Sequence, residues 1–299
     1  MKYGYIGLGN LGGHLAASLV QAGFELTVYD KNPALAERHL ALGAKWAESP
    51  TQLARQVDAV FTCLPSPVVS ASVLQELIAA NKSGLHWLEM STLGRDDIQA
   101  LAQQAEAASI QVLESPVTGG VHLAAQGKIT VIVGGEQALF EQHRPAFEAM
   151  GNRIFYMGAL GSAAIIKVIT NMLAFIHLLA DGEALMLAKR GGLDLAQAWA
   201  VIQASSGNSF VHETEGQLIL NGSYDIAFTM DLALKDLGFA LGFGREFGVP
   251  LDLAGLTQQT FVKGKAAYGG QAQSTQIVKL LEDVLQTDLR AEGFPSRLE

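Results

Sequence analysis

The most restrictive feature of the sequence is a glycine-rich turn between a strand-like run and a helical run. The residues from Lys2 to Ile6 predict a short buried strand, which leads directly into Gly7-Leu-Gly-Asn-Leu-Gly12. The next run places Leu15 and Leu19 on one face of a predicted helix. Alone the glycine pattern is weak, because a chain with 32 glycines in 299 residues contains it by chance about 0.4 times. Its position between a strand and a helix gives it weight.

A second predicted strand follows that helix and ends at an acidic residue. The run from Phe24 to Tyr29 is typical of a strand, and Asp30 follows it, 18 residues after Gly12. In such a unit the glycines permit a tight turn and the close approach of a pyrophosphate, which binds at the helix N-terminus. The context therefore predicts dinucleotide binding; a plain turn between strand and helix is the alternative.

Asp30 also predicts which dinucleotide binds. Its carboxylate can accept hydrogen bonds from both hydroxyls of the adenosine ribose and would repel a 2′-phosphate, which favours NAD over NADP. A local role is the alternative, in which Asp30 or Asn32 caps the helix that Pro33 opens. The neighbouring Lys31 softens the preference, so NADP remains possible.

Strand-like and helical runs continue to alternate through the first half of the chain. Further strands are predicted at 44–46, 58–64, 85–90, 110–113 and 129–133. In open α/β sheets, ligands bind at the carboxyl ends of the strands. The loops 64–67 and 91–94 follow two such ends, so they are candidate walls of the nicotinamide side, although surface turns have similar sequences.

After Gly158 only helical patterns follow. Gly158 and Gly161 form a flexible lead-in, and Ser162 is a predicted N-cap. The helix that begins there extends to about Arg190, roughly 40 Å at 1.5 Å per residue, which is long enough to run between domains. The sequence thus predicts an α/β chain: a Rossmann-type, doubly wound NAD(P)-binding domain at 1–161, joined by a long helix to an all-helical substrate and oligomerisation domain at 162–299.

Lys167 and Asn171 lie four residues apart in this helix, so they share one of its faces. Their neighbours are mostly apolar. A lysine buried in such surroundings loses hydration, which lowers its pKa and suits it to proton transfer. The alternative is a lysine that snorkels to the surface beside a solvent-facing asparagine.

The loop from Glu114 to Gly120 is a candidate anion site. Thr118 offers a hydroxyl, while Gly119 and Gly120 offer backbone N–H groups without side-chain hindrance. Such a nest can hold a carboxylate or an oxyanion. The alternative is a glycine turn that links two strands.

The composition excludes several other classes of protein. A net charge of −9 and a pI near 5.3 disfavour binding to nucleic acid or anionic membranes. The single cysteine, Cys63, excludes an internal disulfide and a cysteine metal cluster, and fits a reducing cytosol. The seven histidines show no metal-ligand spacing; only His122 adjoins a candidate site. The N-terminal run has no basic region typical of a signal peptide, and the most apolar run, 168–180, is shorter than a bilayer. We therefore expect a cytoplasmic protein without a metal.

Four motifs together resemble those of the β-hydroxyacid dehydrogenase family, which includes 3-hydroxyisobutyrate dehydrogenase, tartronate semialdehyde reductase and relatives of 6-phosphogluconate dehydrogenase. Gly7 to Gly12 resembles the cofactor turn, with Leu11 where methionine is usual. Glu114 to Gly120 resembles the substrate motif Asp-Ala-Pro-Val-Ser-Gly-Gly. Gly158 to Asn171 resembles the catalytic motif, with Ala163 where a third glycine is common, and Lys235-Asp-Leu237 resembles the downstream motif. They occur in the family's order and cover nearly the whole chain.

This resemblance implies hydride transfer between the nicotinamide and the carbon that bears the hydroxyl or carbonyl group. It implies that Lys167 is the general acid/base, that Asn171 positions the substrate and that Lys235 closes the site near the nicotinamide. The implied substrate-binding residues are Thr118, Gly119, Gly120, Lys235, Asn208 and Phe210. The implied cofactor-binding residues are Gly7, Leu8, Gly9, Asn10, Leu11, Gly12, Asp30, Leu64, Pro65, Thr92 and Lys235.

The motifs contain no additional arginine for a second acidic group, so we expect a small 3-hydroxy acid or semialdehyde with one carboxylate. One rival is an imine-reducing relative, against which Lys167 argues; another is a non-catalytic cofactor-binding module. The apolar residues on more than one face of the later helices predict a homodimer or homotetramer.

Overall fold

The structure, a computed structural model, describes residues 1–298, and the chain divides into two compact units, Met1–Lys167 and Val168–Glu299. The described strands are β1 (Tyr3–Ile6), β2 (Leu26–Tyr29), β3 (Lys45–Trp46), β4 (Ala59–Thr62), β5 (His86–Glu89), β6 (Gln111–Glu114), β7 (Val117–Thr118), β8 (Ile129–Gly135) and β9 (Gly151–Tyr156).

The described helices are α1 (Gly12–Gln21), α2 (Glu37–Ala41), α3 (Pro50–Gln56), α4 (Pro67–Ala79), α5 (Arg95–Ala107), α6 (Gly120–Ala125), α7 (Gln137–Met150), α8 (Ser162–Arg190), α9 (Leu195–Gln203), α10 (Phe210–Asn221), α11 (Met230–Phe247), α12 (Asp252–Tyr268) and α13 (Lys279–Leu285). Two 3-10 helices, Pro33–Ala36 and Ser274–Val278, precede α2 and α13.

The first unit is built on a sheet with the strand order β3-β2-β1-β4-β5-β6. These six strands are parallel, and this order is that of the doubly wound dinucleotide-binding fold. The sheet continues through β8, which is antiparallel to β6 and β7 and parallel to β9. The predicted Rossmann-type sheet is confirmed. The sequence did not predict β7, which has only two residues, or β9, which carries exposed polar residues at Asn152 and Arg153.

The central strands are buried over their whole length, because helices cover both faces of the sheet. β1, β4 and β5 have no exposed residue, as expected of parallel strands covered on both sides. Successive side chains alternate between two apolar clusters. One cluster joins Tyr5 and Phe61 to α1 and α7, and the other joins Val60 and Trp87 to α3, α4 and α5.

The second unit is helical, as the sequence predicted, apart from one backbone bridge between Thr229 and Gln273 in its described part. Its core includes Phe175 on α8, Leu237 on α11 and Phe261 on α12. Asp194 caps α9 by accepting the Gln197 N–H at 2.8 Å.

Helix α8 spans Ser162–Arg190, as the sequence predicted, and so extends well beyond the most apolar run, 168–180. It has 29 residues and contains an 18-residue stretch of mean hydropathy 1.9, so by length and composition alone it is long enough to cross a membrane. The shortness of the run 168–180 therefore does not by itself exclude a membrane span for the longer helix. However, Lys167 is buried in this helix, and Asp181 pairs with His212 at 2.5 Å. Charged groups of this kind are costly in lipid, and the core helix of a globular protein meets the same criterion.

Glu282 holds the segment that follows α13. Its carboxylate accepts hydrogen bonds from the Leu289 N–H at 2.7 Å, from Arg290 at 2.9 Å and from the Tyr224 hydroxyl, and the residue is buried. Arg290 also donates to the Tyr224 oxygen at 2.8 Å. This network therefore ties the C-terminal segment to the second unit.

Two titratable groups near Asp181 make the second unit sensitive to pH. His212 contacts the Asp181 carboxylate through Nδ1 and the Trp199 carbonyl oxygen through Nε2 at 2.9 Å. Burial lowers the pKa of His212, but these hydrogen bonds outweigh it and the pKa is raised. Burial and then the Asp181 charge raise the pKa of Glu215 to about 8.

We expect the stability of the protein to fall as the pH rises from about 4.5 through about 8. The Glu215 pKa of about 8 lies above its ordinary value of 4.5, so the folded state holds this proton more tightly, and its stabilising effect is lost as the pH rises through about 8. His212 acts in the same direction, because its effect is complete below pH 6.5 and is lost above its raised pKa. Over this pH range the melting temperature of the wild type should drop by several degrees, and that of Glu215→Gln should drop by less. A wild-type melting temperature that rises with pH would contradict this.

Candidate functional site

The glycine turn lies where β1 ends, beside the end of β4. Gly7 has φ +99°, and a Cβ there would overlap the Cys63 carbonyl oxygen, while a Cβ on Gly12 would overlap the Gly7 carbonyl oxygen. A Cβ on Gly9, in contrast, would meet no atom within 4 Å. Gly7 and Gly12 thus close the turn against its neighbours, and Gly9 leaves an open backbone surface.

The start of α1 is suited to an anion. This helix begins at Gly12 without a side-chain cap and without an acidic residue in its first turn. Its N–H groups and the helix dipole therefore leave a partial positive charge there. Gly9 and Asn10 beside it are exposed. The turn therefore fits the pyrophosphate of a dinucleotide.

Asp30 is held in place by the turn itself. Its Oδ2 accepts the Leu8 N–H at 2.7 Å, and its Oδ1 accepts the Asn32 N–H at 2.8 Å. Each oxygen keeps acceptor capacity for a ribose hydroxyl. The helix that Pro33 opens is capped by Asn32, which accepts the Ala34 N–H, so Asp30 is not needed as its cap.

Arg38 is a cation near the turn that the sequence analysis did not single out. Its Nη2 would lie 2.6 Å from a Cβ on Gly13, directly after the glycine turn. Burial lowers the pKa of Arg38, but a guanidinium remains charged at neutral pH. Such a cation can accommodate a 2′-phosphate, which is consistent with NADP as a second cofactor.

Glu89 organises the loops after β4 and β5. It is buried, and its carboxylate accepts the Ser91 N–H at 2.7 Å and the Thr62 hydroxyl at 2.9 Å. Ser91 in turn accepts the Leu64 N–H at 2.7 Å. Leu64, followed by the exposed Pro65, is thus fixed beside the segment of Thr92, and the structure brings these predicted residues together.

The Thr118 loop leads into the short helix α6 and does not turn directly into a second strand. Thr118 pairs with Thr130 of β8, and Gly119 and Gly120 follow with φ values of +123° and +81°. The two glycines open α6, so the alternative of a turn that links two strands is wrong. The His122 ring would lie 3.1 Å from a Cβ on Gly120, and burial lowers the His122 pKa, so a neutral ring borders the loop.

Lys167 is buried, with 7% of its surface exposed. It lies in the second turn of α8, and the snorkelling alternative does not apply. Asn171 follows one turn later, and its amide donates to the Asp236 carboxylate at 2.6 Å rather than facing solvent freely. The predicted cap of this helix is wrong, because the Ser162 hydroxyl donates to the Ala159 carbonyl oxygen and Glu114 accepts the N–H groups of Ala163 and Ala164.

Asp236, which the sequence analysis did not single out, contacts both Asn171 and Lys235. It is 1% exposed, accepts from Asn171, and pairs with the Lys235 ammonium at 2.8 Å. The signal was present, because the acid stands next to the lysine in the Lys235-Asp-Leu237 motif. Within the second unit Asp236 therefore fixes both Asn171 and Lys235.

Asn208 lies just before α10 and Phe210 is the first residue of that helix; both are exposed. The Asn208 amide donates to the Glu213 carboxylate at 2.6 Å, and the Phe210 ring is 54% exposed. Ser209 between them caps the helix by accepting the His212 N–H at 3.0 Å. The described contacts of Asn208 thus do not join it to Asn171, Asp236 or Lys235.

Comparison with known proteins identifies related domains over most of the chain. Residues 2–158 match the NAD binding domain of 6-phosphogluconate dehydrogenase, and residues 161–281 match the NAD-binding model of NADP-dependent 3-hydroxyisobutyrate dehydrogenase. The chain is 30% identical to 2-(hydroxymethyl)glutarate dehydrogenase of Eubacterium barkeri, over 95% of this chain and 96% of the relative. It is 29% identical to 2-hydroxy-3-oxopropionate reductase of Escherichia coli, over 94% and 97%.

Solved structures of related enzymes have the same fold as this chain. A 3-hydroxyisobutyrate dehydrogenase from Salmonella typhimurium aligns with a TM-score of 0.87 and 29% identity, over 94% of this chain and 99% of that one. Imine reductases are more distant: the enzyme from Streptomyces aurantiacus shares 20% identity at a TM-score of 0.62, which is a likeness of fold alone.

Proposed function

The chain belongs to the β-hydroxyacid dehydrogenase family, related to 6-phosphogluconate dehydrogenase and 3-hydroxyisobutyrate dehydrogenase, and from this premise we propose that its substrate is a small 3-hydroxy acid or the corresponding semialdehyde carboxylate. It is an oxidoreductase of the hydroxyacid dehydrogenase type, with NAD as cofactor and NADP possible. The observation that carries the proposal is Lys167, a buried lysine on an apolar helix, one turn before a hydrogen-bonded amide.

When bound, a nicotinamide dinucleotide would supply or accept the hydride. The residues that would hold the dinucleotide are those of the turn and its neighbours, namely Gly7, Leu8, Gly9, Asn10, Leu11, Gly12, Asp30, Leu64, Pro65, Thr92 and Lys235. The open surface at Gly9, the uncapped start of α1 and the fixed Asp30 carboxylate support this assignment.

We expect NADH to bind more tightly than NADPH, because a 2′-phosphate would approach the Asp30 carboxylate. Asp30→Ser should reduce this preference about tenfold or more, equivalent to about 1.4 kcal/mol, through weaker NADH binding and stronger NADPH binding. Fluorescence titration of both cofactors measures the effect. Glu37→Gln, which removes an exposed acid from α2, is the charge-matched control and should leave the ratio unchanged. Tighter binding of NADPH by the wild type would refute this role of Asp30.

Lys167 is proposed as the general acid/base. It donates a proton to the substrate oxygen when the carbonyl is reduced and takes one from the hydroxyl in the reverse direction. Burial supports this role, because it keeps the amine away from bulk water. Asn171, held by Asp236, would orient the substrate oxygen, and Lys235 would close the site near the nicotinamide.

The substrate carboxylate would bind Thr118, Gly119 and Gly120, with Asn208 and Phe210 near its other end. We propose a substrate with one carboxylate, since the site motifs supply no additional arginine. The test is oxidation of NADH and NADPH with a panel of small semialdehydes, with the reverse reaction on the matching 3-hydroxy acids. A clear preference for a doubly charged compound would overturn the single-carboxylate proposal. No turnover despite measurable NADH binding would favour a non-catalytic cofactor-binding module.

We further propose that 1–161 serves as the cofactor domain and 162–299 as the substrate and oligomerisation domain of a cytoplasmic homodimer or homotetramer. Large apolar side chains are exposed on the second unit, among them Leu187, Val201, Leu253 and Leu256. Water contact of so much apolar surface is more typical of an interface than of a free face. A monomer in light scattering would refute the assembly.

A further inference from the structure

The buried carboxylate of Glu114 accepts hydrogen bonds from backbone N–H groups at the start of α8. Glu114 ends β6, is 2% exposed and lies opposite Gly134 of β8. Its Oε1 accepts the N–H groups of Gly161 at 2.6 Å and Ala163 at 2.9 Å, and its Oε2 accepts that of Ala164 at 3.0 Å. One side chain therefore satisfies two N–H groups of the first turn of α8, which the helix itself leaves without partners, and the Gly161 N–H just before it.

The geometry of this contact is tightly constrained. The negative carboxylate faces the positive end of the helix dipole, which stabilises both. On its other side, a Cβ on Gly134 would overlap the carboxylate, so a glycine is required there. Burial raises the Glu114 pKa to about 7, and the three N–H donors oppose that rise. Because both oxygens are engaged and the space behind them is filled, the carboxylate fixes where α8 begins and how it is rotated.

Lys167 follows Ala164 by three residues, which is about 4.5 Å along the helix axis. Residues three apart lie on neighbouring positions of one helix face. A small rotation or shift of the first turn therefore moves the Lys167 ammonium directly, since no flexible segment separates the two.

We propose that Glu114 is a positioning residue that sets the first turn of α8 and thereby aims Lys167 at the reacting oxygen. This inference rests on the proposed function, because it assigns Glu114 an effect on turnover through Lys167. Its role requires a carboxylate, because both oxygens accept backbone N–H groups. A glutamine in its place offers one acceptor oxygen and turns an NH₂ group toward backbone donors, and an aspartate keeps the charge but is shorter by one methylene.

The test compares Glu114→Gln and Glu114→Asp with the wild type under steady-state conditions. We expect Glu114→Gln to lower kcat about 10-fold to 100-fold, as small misplacements of a catalytic group do. KM and the Kd for NADH should stay within about twofold, because the proposed carboxylate-binding residues Thr118, Gly119 and Gly120 and the glycine turn are unaltered. Glu114→Asp should restore part of kcat. The matched control is Glu282→Gln, an equally buried, hydrogen-bonded glutamate whose partners Tyr224, Leu289 and Arg290 are not proposed site residues. It should lower the melting temperature but keep kcat below that temperature.

A double-mutant cycle with Lys167→Ala, measured in single turnovers at high enzyme concentration, separates positioning from general stability. If Glu114 acts through Lys167, Glu114→Gln adds no further loss once Lys167 is absent. An additive loss, or an unchanged kcat in Glu114→Gln while Lys167→Ala is impaired, would overturn the inference. If Glu114→Gln does not fold, an unchanged kcat in Glu114→Asp has the same meaning. A Lys167→Ala enzyme with normal turnover would instead remove the proposed function of Lys167 itself.

Discussion

Replacing Lys167 by alanine should lower kcat about 10²-fold to 10⁴-fold, the usual contribution of a general acid/base. Without the amine, the oxygen of the substrate has no buried proton donor at that position. Cofactor binding should be preserved, because the glycine turn and Asp30 are held by their own backbone contacts. Stopped-flow measurement of nicotinamide absorbance, with a separate NADH titration, distinguishes the two quantities.

Two further variants make this result specific. Lys167→Met replaces the amine with an apolar side chain of similar length, so it avoids the cavity that alanine leaves. It should show the same loss of kcat. Lys189→Ala removes an exposed lysine from the last turn of the same helix and should turn over normally. Wild-type kcat in Lys167→Met would remove Lys167 from the mechanism, whatever the stability of the alanine variant.

The residues that the sequence identified are those whose role is local. Gly7 and Gly12 are required because a Cβ would meet backbone atoms of their own turn and of the adjoining β4 end. Lys167 is visible because apolar neighbours in one helix surround it, and the doubly wound sheet follows from alternating strand-like and helical runs. Periodicity and turn chemistry act over a few residues, so a single sequence records them.

The roles that the sequence did not reveal depend on hydrogen bonds between residues that are far apart in the chain. Glu114 reaches α8 across 47 to 50 positions, and Asn171 meets Asp236 across 65. No local pattern encodes these distances. Ser162 shows the consequence: by its residue type it is a good N-cap, but a distant carboxylate already occupies the N–H groups at that helix start, so its hydroxyl donates elsewhere. The local preference of Ser162 for the cap position is therefore overridden by the tertiary contact with Glu114.

The second large effect concerns the two kinds of glycine in the turn. Gly12→Ala should lower both the melting temperature and the affinity for NADH, because its Cβ would overlap the Gly7 carbonyl oxygen and force the turn to move. Overpacking of this kind costs about 1–3 kcal/mol. Gly9→Ala should leave the melting temperature of the cofactor-free protein unchanged, since its Cβ would meet nothing within 4 Å. It should still weaken NADH binding about tenfold or more, because a Cβ at that position stands where the pyrophosphate approaches the backbone.

Melting curves without cofactor and titrations with NADH, made on the same preparations, separate packing from binding. Gly255→Ala on α12 is the matched control, because its Cβ also meets no atom within 4 Å but the residue lies in the second unit. It should bind NADH normally and melt slightly higher, since alanine favours a helix over glycine by about 1 kcal/mol. Normal NADH affinity in Gly9→Ala would mean that the open surface at Gly9 does not face the pyrophosphate. The cofactor would then have to be held by a different part of the turn, and the role of Gly9 would reduce to chain geometry.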